Sequence, residues 1–213
     1  MKLLILLSCF PVFAAAGYSL IVYRKLSPEF RVFTWFLTTS GIVQLIALPL
    51  WWFNINNMPL LHFYVPAGFF CLAWFYKTVL RKVIHPLLIP ILIGLFLLFS
   101  VTNSMFLQPI HTYNSNGLTA EAILVIILAL STFLLSQNEI ARDGNMPSLQ
   151  GLNWINSGLF IYFSSNSLLY YYGDIITRTL PSYLGRYVWA LHSVFSMVMY
   201  TCFIVGIWKS LKK

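Results

Sequence analysis

The stretch YRKLSPEFRVFTWFLTTSGIVQLIALPLWWFNINNM (23–58) carries the pattern that decides the fold. It opens on Arg24, Lys25 and Arg31, runs through apolar residues 32–53, and closes on a gap, 54–58, that holds no charge. About 20 mostly apolar residues suffice to cross the hydrocarbon core of a bilayer. Residues 32–53 therefore read as a membrane span with one basic end and one neutral end. Trp51 and Trp52 sit at the neutral end, where amphipathic rings prefer the headgroup level.

The same alternation extends in both directions. Apolar runs predict spans over 3–23, 32–53, 59–80, 84–102, 118–136, 151–172 and 185–208. The third gap brings Lys77, Arg81 and Lys82; the fourth, 103–117, holds no Asp, Glu, Lys or Arg but contains His111. The fifth gap carries Glu139, Arg142 and Asp143, the sixth Asp174, Arg178 and Arg186, and the tail ends in Lys209, Lys212 and Lys213. Of the 13 Lys and Arg residues, ten (24, 25, 31, 77, 81, 82, 142, 209, 212, 213) fall on one side and three (2, 178, 186) on the other. Lys and Arg stay on the cytoplasmic side. The expected architecture is an all-α, polytopic protein of seven transmembrane helices, N-terminus outside and C-terminus inside, forming a single domain (1–213) integral to the cell (inner) membrane.

Composition agrees. Charged residues make up 8% of the chain, against about 25% in a soluble domain, and the mean hydropathy is +0.79. The formal charge of +8 comes from residues that flank apolar runs, which is the distribution of membrane anchoring and not of a nucleic-acid surface. Cys9, Cys71 and Cys202 lie inside apolar runs without metal-type spacing and read as small buried residues. The start, MKLLILLSCFPVFAAAG (1–17), also has the look of a secretory signal cleaved near Ala16. Cleavage there would put Arg24, Lys25 and Arg31 on the wrong side, so the segment is expected to be a first span, with Pro11 able to kink it.

Polar residues within spans are costly and face the bundle interior. Tyr162, Asn166 and Tyr170 are spaced i, i+4, i+8 and share a face of the sixth helix; His192, Ser196 and Tyr200 do the same on the seventh, and Ser40 and Gln44 lie one turn apart on the second. Such groups serve either as interhelical glue or as the lining of a cavity, and the spacing leaves both open. With the orientation above, the outer half collects His62, Tyr64, His111, Tyr113, Glu121, Asn166, Tyr170 and His192. Glu121 is the one acidic residue within a span, with helix capping as its plain alternative. If His62, Glu121 and His192 converge, they could hold a metal, exchange a proton or bind a polar headgroup.

Several classes are excluded by what is missing. A retinal Schiff base needs a lysine in mid-helix seven, and the lysines there lie at its end. The candidates nearest the midplane, Gln44, Asn156 and Asn166, are neutral, unlike the ionisable residues of pumps. Phosphate-binding, dinucleotide, HExxH and GxSxG motifs are absent.

The strings NNMPLLHFY (56–64), NSMFLQPIHTYNS (103–115), LNWINSGLFIYFSSN (152–166) and WALHSVFSMVMY (189–200) resemble a family of small bacterial seven-helix membrane proteins of unassigned activity. The resemblance covers most of helices three to seven and implies the same architecture. Similar proteins often follow the His62–Tyr64 segment with an acidic residue, where this chain has Ala67 and Gly68. That departure weakens acid–histidine chemistry on the third helix.

The expected function is non-enzymatic: a receptor-like or accessory protein with an outward-facing pocket for a small molecule or lipid between helices 3, 5, 6 and 7, without a cofactor, and with a cytoplasmic or membrane signalling partner. The ligand-binding candidates are His62, Tyr64, His111, Glu121, Tyr162, Asn166, Tyr170, His192 and Ser196. A small-solute transporter using Gln44 and Asn156, and a membrane-embedded metal-dependent lipid hydrolase using His62, His192 and Glu121, with His111 as a further ligand, stay open as alternatives. Membrane lipid is the expected surroundings, and nucleic acid is not an expected partner.

Overall fold

A computed structural model describes residues 2–143 and 147–212. The side chains of Lys2, Glu139, Arg142, Asp143 and Lys213, which enter the charge tally, lie outside the described residues. Seven α-helices account for most of the described chain: α1 Lys2–Val22, α2 Pro28–Trp52, α3 Met58–Val79, α4 Leu88–Thr102, α5 Ser115–Asp143, α6 Pro147–Thr179 and α7 Ser182–Ser210. A π-helical turn, Asn103–Leu107, prolongs α4.

Helix boundaries follow local chemistry. Pro28 and Pro147 stand at first helical positions, where a missing N–H goes unnoticed. The chain leaves α2 through Asn54, two residues past its end, whose φ of 55° is a left-handed conformation that asparagine tolerates. α5 is capped by Asn114, whose Oδ1 accepts from the Gly117 N–H at 3.1 Å.

Five helical segments are long and apolar enough to cross a membrane: Pro28–Trp52, Met58–Val79, Leu88–Leu107, Ser115–Asn138 and Tyr183–Ser210. Their outward faces carry exposed Ile42, Leu45, Leu98, Ile127, Leu134 and Leu191, a surface suited to lipid and far more apolar than water tolerates. This is a helical, multi-pass membrane protein. α1 and α6 are not among the five; α6 has the length but carries Asn, Ser and Gly along its first half. α1 packs against α2 and α7 with Ala15 and Ala16 buried.

The helices run α1–α2–α3, then α3–α5–α6–α7 and back to α1, with α4 outside against α3. Interhelical contacts define two ends. At one, Gly151 of α6 lies against Gly206 and Ser210 of α7, and Phe33 of α2 meets Phe75 and Phe203 at ring-centre distances of 5.1 and 4.9 Å. Several basic residues gather here: Lys212 Nζ lies 3.7 Å from the centre of the Trp208 ring, Lys77 4.2 Å from that of Trp74, and Arg31 donates to the Leu26 and Arg24 carbonyls. At the opposite end, Asn56 donates to the His111 carbonyl, and the Asp174 N–H donates to Ser115 Oγ.

Candidate functional site

A cavity of about 400 Å³ opens between α2, α3, α5, α6 and α7, towards the end opposite the basic cluster. Its volume falls in the range of small-molecule sites, about 300–1,000 Å³. Helical periodicity builds the lining. Ser40 and Gln44 on α2 face inward, as do Tyr162 and Tyr170 on α6 and His192, Ser196 and Tyr200 on α7. Residues four apart lie one above the other on a helix face, so each triplet or pair lines successive depths of one wall. Tyr64 of α3 and Glu121 of α5 complete the polar set, and Trp189 and Tyr113 add aromatic surface near the neutral end.

The polar groups are held by specific bonds. The Ser40 and Tyr64 hydroxyls are 2.9 Å apart, with the Tyr200 hydroxyl within hydrogen-bonding reach of both. Gln44 Nε2 donates to Cys9 Sγ at 3.1 Å. Asn166 sits behind the wall: its Nδ2 donates to the Tyr162 carbonyl, and its Oδ1 accepts from His192 Nδ1 at 3.0 Å. That bond orients the imidazole and leaves Nε2 as its remaining polar atom. Rings surround His192, with centres of Tyr162, Trp189 and Tyr170 at 5.6, 5.9 and 6.1 Å.

Glu121 is different. Its side chain is 4% exposed and lines the cavity, yet no described residue donates a hydrogen bond to its carboxylate. Oε1 lies 3.6 Å from where a Cβ on Gly68 would stand, beside the Tyr64 ring. The capping alternative for Glu121 needs correction. α5 starts at Ser115, six residues earlier, and Asn114 occupies the cap. An asparagine before a helix is a recognisable cap signal, and the string YNSNG (113–117) contained it.

His62 and His111 stand apart from the cavity. His62 Nε2 donates to the Thr112 carbonyl at 3.1 Å, and its Nδ1 accepts from the Ser104 hydroxyl at 2.8 Å, so both ring nitrogens are engaged. His111 is exposed in the segment between the π turn and α5. Around them Asn103, Gln108, Asn114 and Asn116 form a closed amide network with separations of 2.9–3.4 Å. Tyr113 in this segment lies against Gly173 so closely that a Cβ there would enter its ring. Burial, reinforced by nearby Tyr162, pushes the Tyr113 phenol well above its ordinary range and keeps it neutral.

Of the nine candidates, the structure gathers Tyr64, Glu121, Tyr162, Tyr170, His192 and Ser196 around one space. Asn166 braces that wall from behind, while His62 and His111 belong to the polar cap. Ser40 and Tyr200, singled out only for spacing, and Gln44, named for the transporter alternative, join the lining. Among the described residues no three His, Cys, Asp or Glu side chains converge in metal-ligating geometry, so the hydrolase alternative has no ligand set in place.

No family model matches the chain, and no curated protein or solved structure is similar to it.

Proposed function

We propose that the chain is a seven-span protein of the cell (inner) membrane, N-terminus outside and C-terminus inside, that binds a small molecule or a lipid in the α2–α3–α5–α6–α7 cavity. It acts as a receptor-like or accessory protein without catalysis of its own. Occupancy at the outer end is relayed to a cytoplasmic or membrane partner at the basic inner end. The observation that carries this reading is the cavity itself, lined by polar side chains from five helices at the end opposite Lys77, Lys209 and Lys212. A bundle needing only glue between its helices has no use for such a space, since interiors pack closely. The transporter alternative loses one of its two residues. Asn156 is fully buried, accepts from the Tyr76 hydroxyl and donates to the Ala129 carbonyl, and does not line the cavity.

The test is thermal stability of the purified protein in nanodiscs across a panel of polar small molecules and short-chain lipids. Ser196→Trp and Ala47→Trp, each filling the cavity, serve as parallel controls. At least one compound is expected to raise the Tm of the native protein and of neither filled variant. A panel that never separates native protein from a folded, filled variant would sink the proposal. Orientation is checked separately with single-cysteine reporters at Asn56 and Ser210, of which only Asn56→Cys is expected to label from outside.

A further inference from the structure

We infer that the cavity takes an organic ammonium cation, its positive nitrogen set against the Glu121 carboxylate and faced by the rings of Tyr64, Tyr162, Tyr170 and Trp189. This rests on the reading of the cavity as a ligand site and names the chemistry of its occupant.

Charge decides the class first. The lining holds one carboxylate and neither lysine nor arginine. Glu121 is buried, faces the cavity and receives no hydrogen bond from any described residue. A buried carboxyl without a partner is strongly unfavourable as the anion, so it holds its proton until a cation arrives to pair with it. An anionic ligand would be repelled by the ionised acid and a purely apolar one makes no use of it. An ammonium ion pairs with its carboxylate form.

The walls point the same way. The face of an aromatic ring is the negative region of its quadrupole, and clustered tyrosine and tryptophan rings are the recurrent environment of substituted ammonium groups. Here Tyr162 lies 6.4 Å from Tyr170 and Tyr113 lies 5.4 Å from Trp189, ring centre to ring centre, with His192 between the two pairs. With Nδ1 committed to Asn166, the neutral His192 ring offers only an acceptor at Nε2, which suits an N–H or O–H donor on the ligand. A lipid headgroup would enter by its ammonium end, because no cationic side chain in the lining receives a phosphate.

The test compares choline and ethanolamine with 3,3-dimethylbutan-1-ol, the uncharged carbon counterpart of choline. Binding is followed by calorimetry and Tm on the full chain in phosphatidylglycerol nanodiscs. At least one ammonium compound is expected to bind ten or more times more tightly than the neutral alcohol. Glu121→Gln is expected to abolish that preference and Glu121→Asp to keep part of it. Repeating the titration in phosphatidylethanolamine nanodiscs separates the sources: a headgroup occupant raises the starting Tm and weakens choline binding, whereas a free amine binds equally in both. Equal binding of choline and its neutral counterpart overturns the inference while leaving a ligand site standing. Ammonium compounds that act on native protein no differently from Ser196→Trp overturn it too. A panel in which nothing separates the two proteins removes the ligand site as well.

Discussion

The basic half of the bundle and the neutral half use the same helices to opposite ends. In the basic half phenylalanines predominate: Phe33, Phe36, Phe75 and Phe203 pack against one another with edge-on or tilted geometry, and only Phe36 reaches the cavity. Its deepest polar pair is closed on itself, the Tyr76 hydroxyl donating to Asn156 Oδ1 at 3.0 Å and Asn156 Nδ2 donating to Ala129 O at 2.9 Å. α6 and α7 touch there through Gly151, Gly158 and Gly206. Farther along the same two helices, Tyr162, Tyr170 and His192 stand where small residues stood and line the cavity. Small residues let backbones approach and amide groups bond across the gap; here the bond from His192 to Asn166 ties α7 to α6 while the larger rings border open space. One half packs its polar groups against one another, and the other leaves polar groups around a space.

The sharpest way to break that contrast is to wedge the complete half open. A Cβ on Gly206 would stand 2.7 Å from Ile155 Cγ1 and 2.8 Å from the Gly151 carbonyl oxygen, which is backbone and cannot turn aside. Gly206→Leu is expected to cost about 3 kcal/mol or to prevent folding, measured by denaturation in detergent. Gly68→Ala in the neutral half meets Glu121 Oε1 at an ordinary 3.6 Å and is expected to leave stability nearly unchanged. Equal losses from both would remove the distinction between the halves.

Asn156→Ala comes next. It leaves the fully buried Tyr76 hydroxyl without an acceptor, a loss of about 2 kcal/mol. Tyr76→Phe removes the hydroxyl itself and is expected to cost about 1 kcal/mol, the scale of hydrogen bonds between helices in membranes. A double-mutant cycle gives the coupling directly. Additive losses would show that the two residues do not act as a pair.

Much of this contrast was legible in the chain, for a physical reason. Helical spacing is rigid, so Ser40 with Gln44, and His192 with Ser196 and Tyr200, had to share faces, and they line one cavity. Helix type and approximate limits followed from apolar runs because lipid imposes a nearly fixed length. α6 shows the boundary of that reasoning: its polar first half bonds across to α5, through Asn153 to Ser136 and Asn156 to Ala129, so polar content there records neighbours and not exposure. The histidines were the harder problem. His62 and Glu121 sit near the same end, yet Ser104, Thr112 and the π turn draw His62 into the amide network. Which way a side chain turns from its helix depends on such a loop, and no period in the sequence encodes it. The same applies to Gly68, whose missing side chain leaves room on α3 for the carboxylate arriving from α5.

The smallest expected change is the most informative. Glu121→Gln keeps the shape of the side chain and removes an acid to which no described residue donates a hydrogen bond. If the neutral half is incomplete by construction, the folded state gives up nothing by this substitution, and stability in the absence of ligand is expected to stay within about 0.5 kcal/mol or to rise. The contrast with Tyr76→Phe is the point: deleting one atom from the closed pair weakens the bundle, while replacing the lone carboxylate does not. Chemical denaturation of the two variants side by side in phosphatidylglycerol nanodiscs makes the comparison. A loss of about 2 kcal/mol or more for Glu121→Gln would mean that the carboxylate already serves the fold, and the cavity would then be a packing defect around a structural acid and not a site awaiting its ligand.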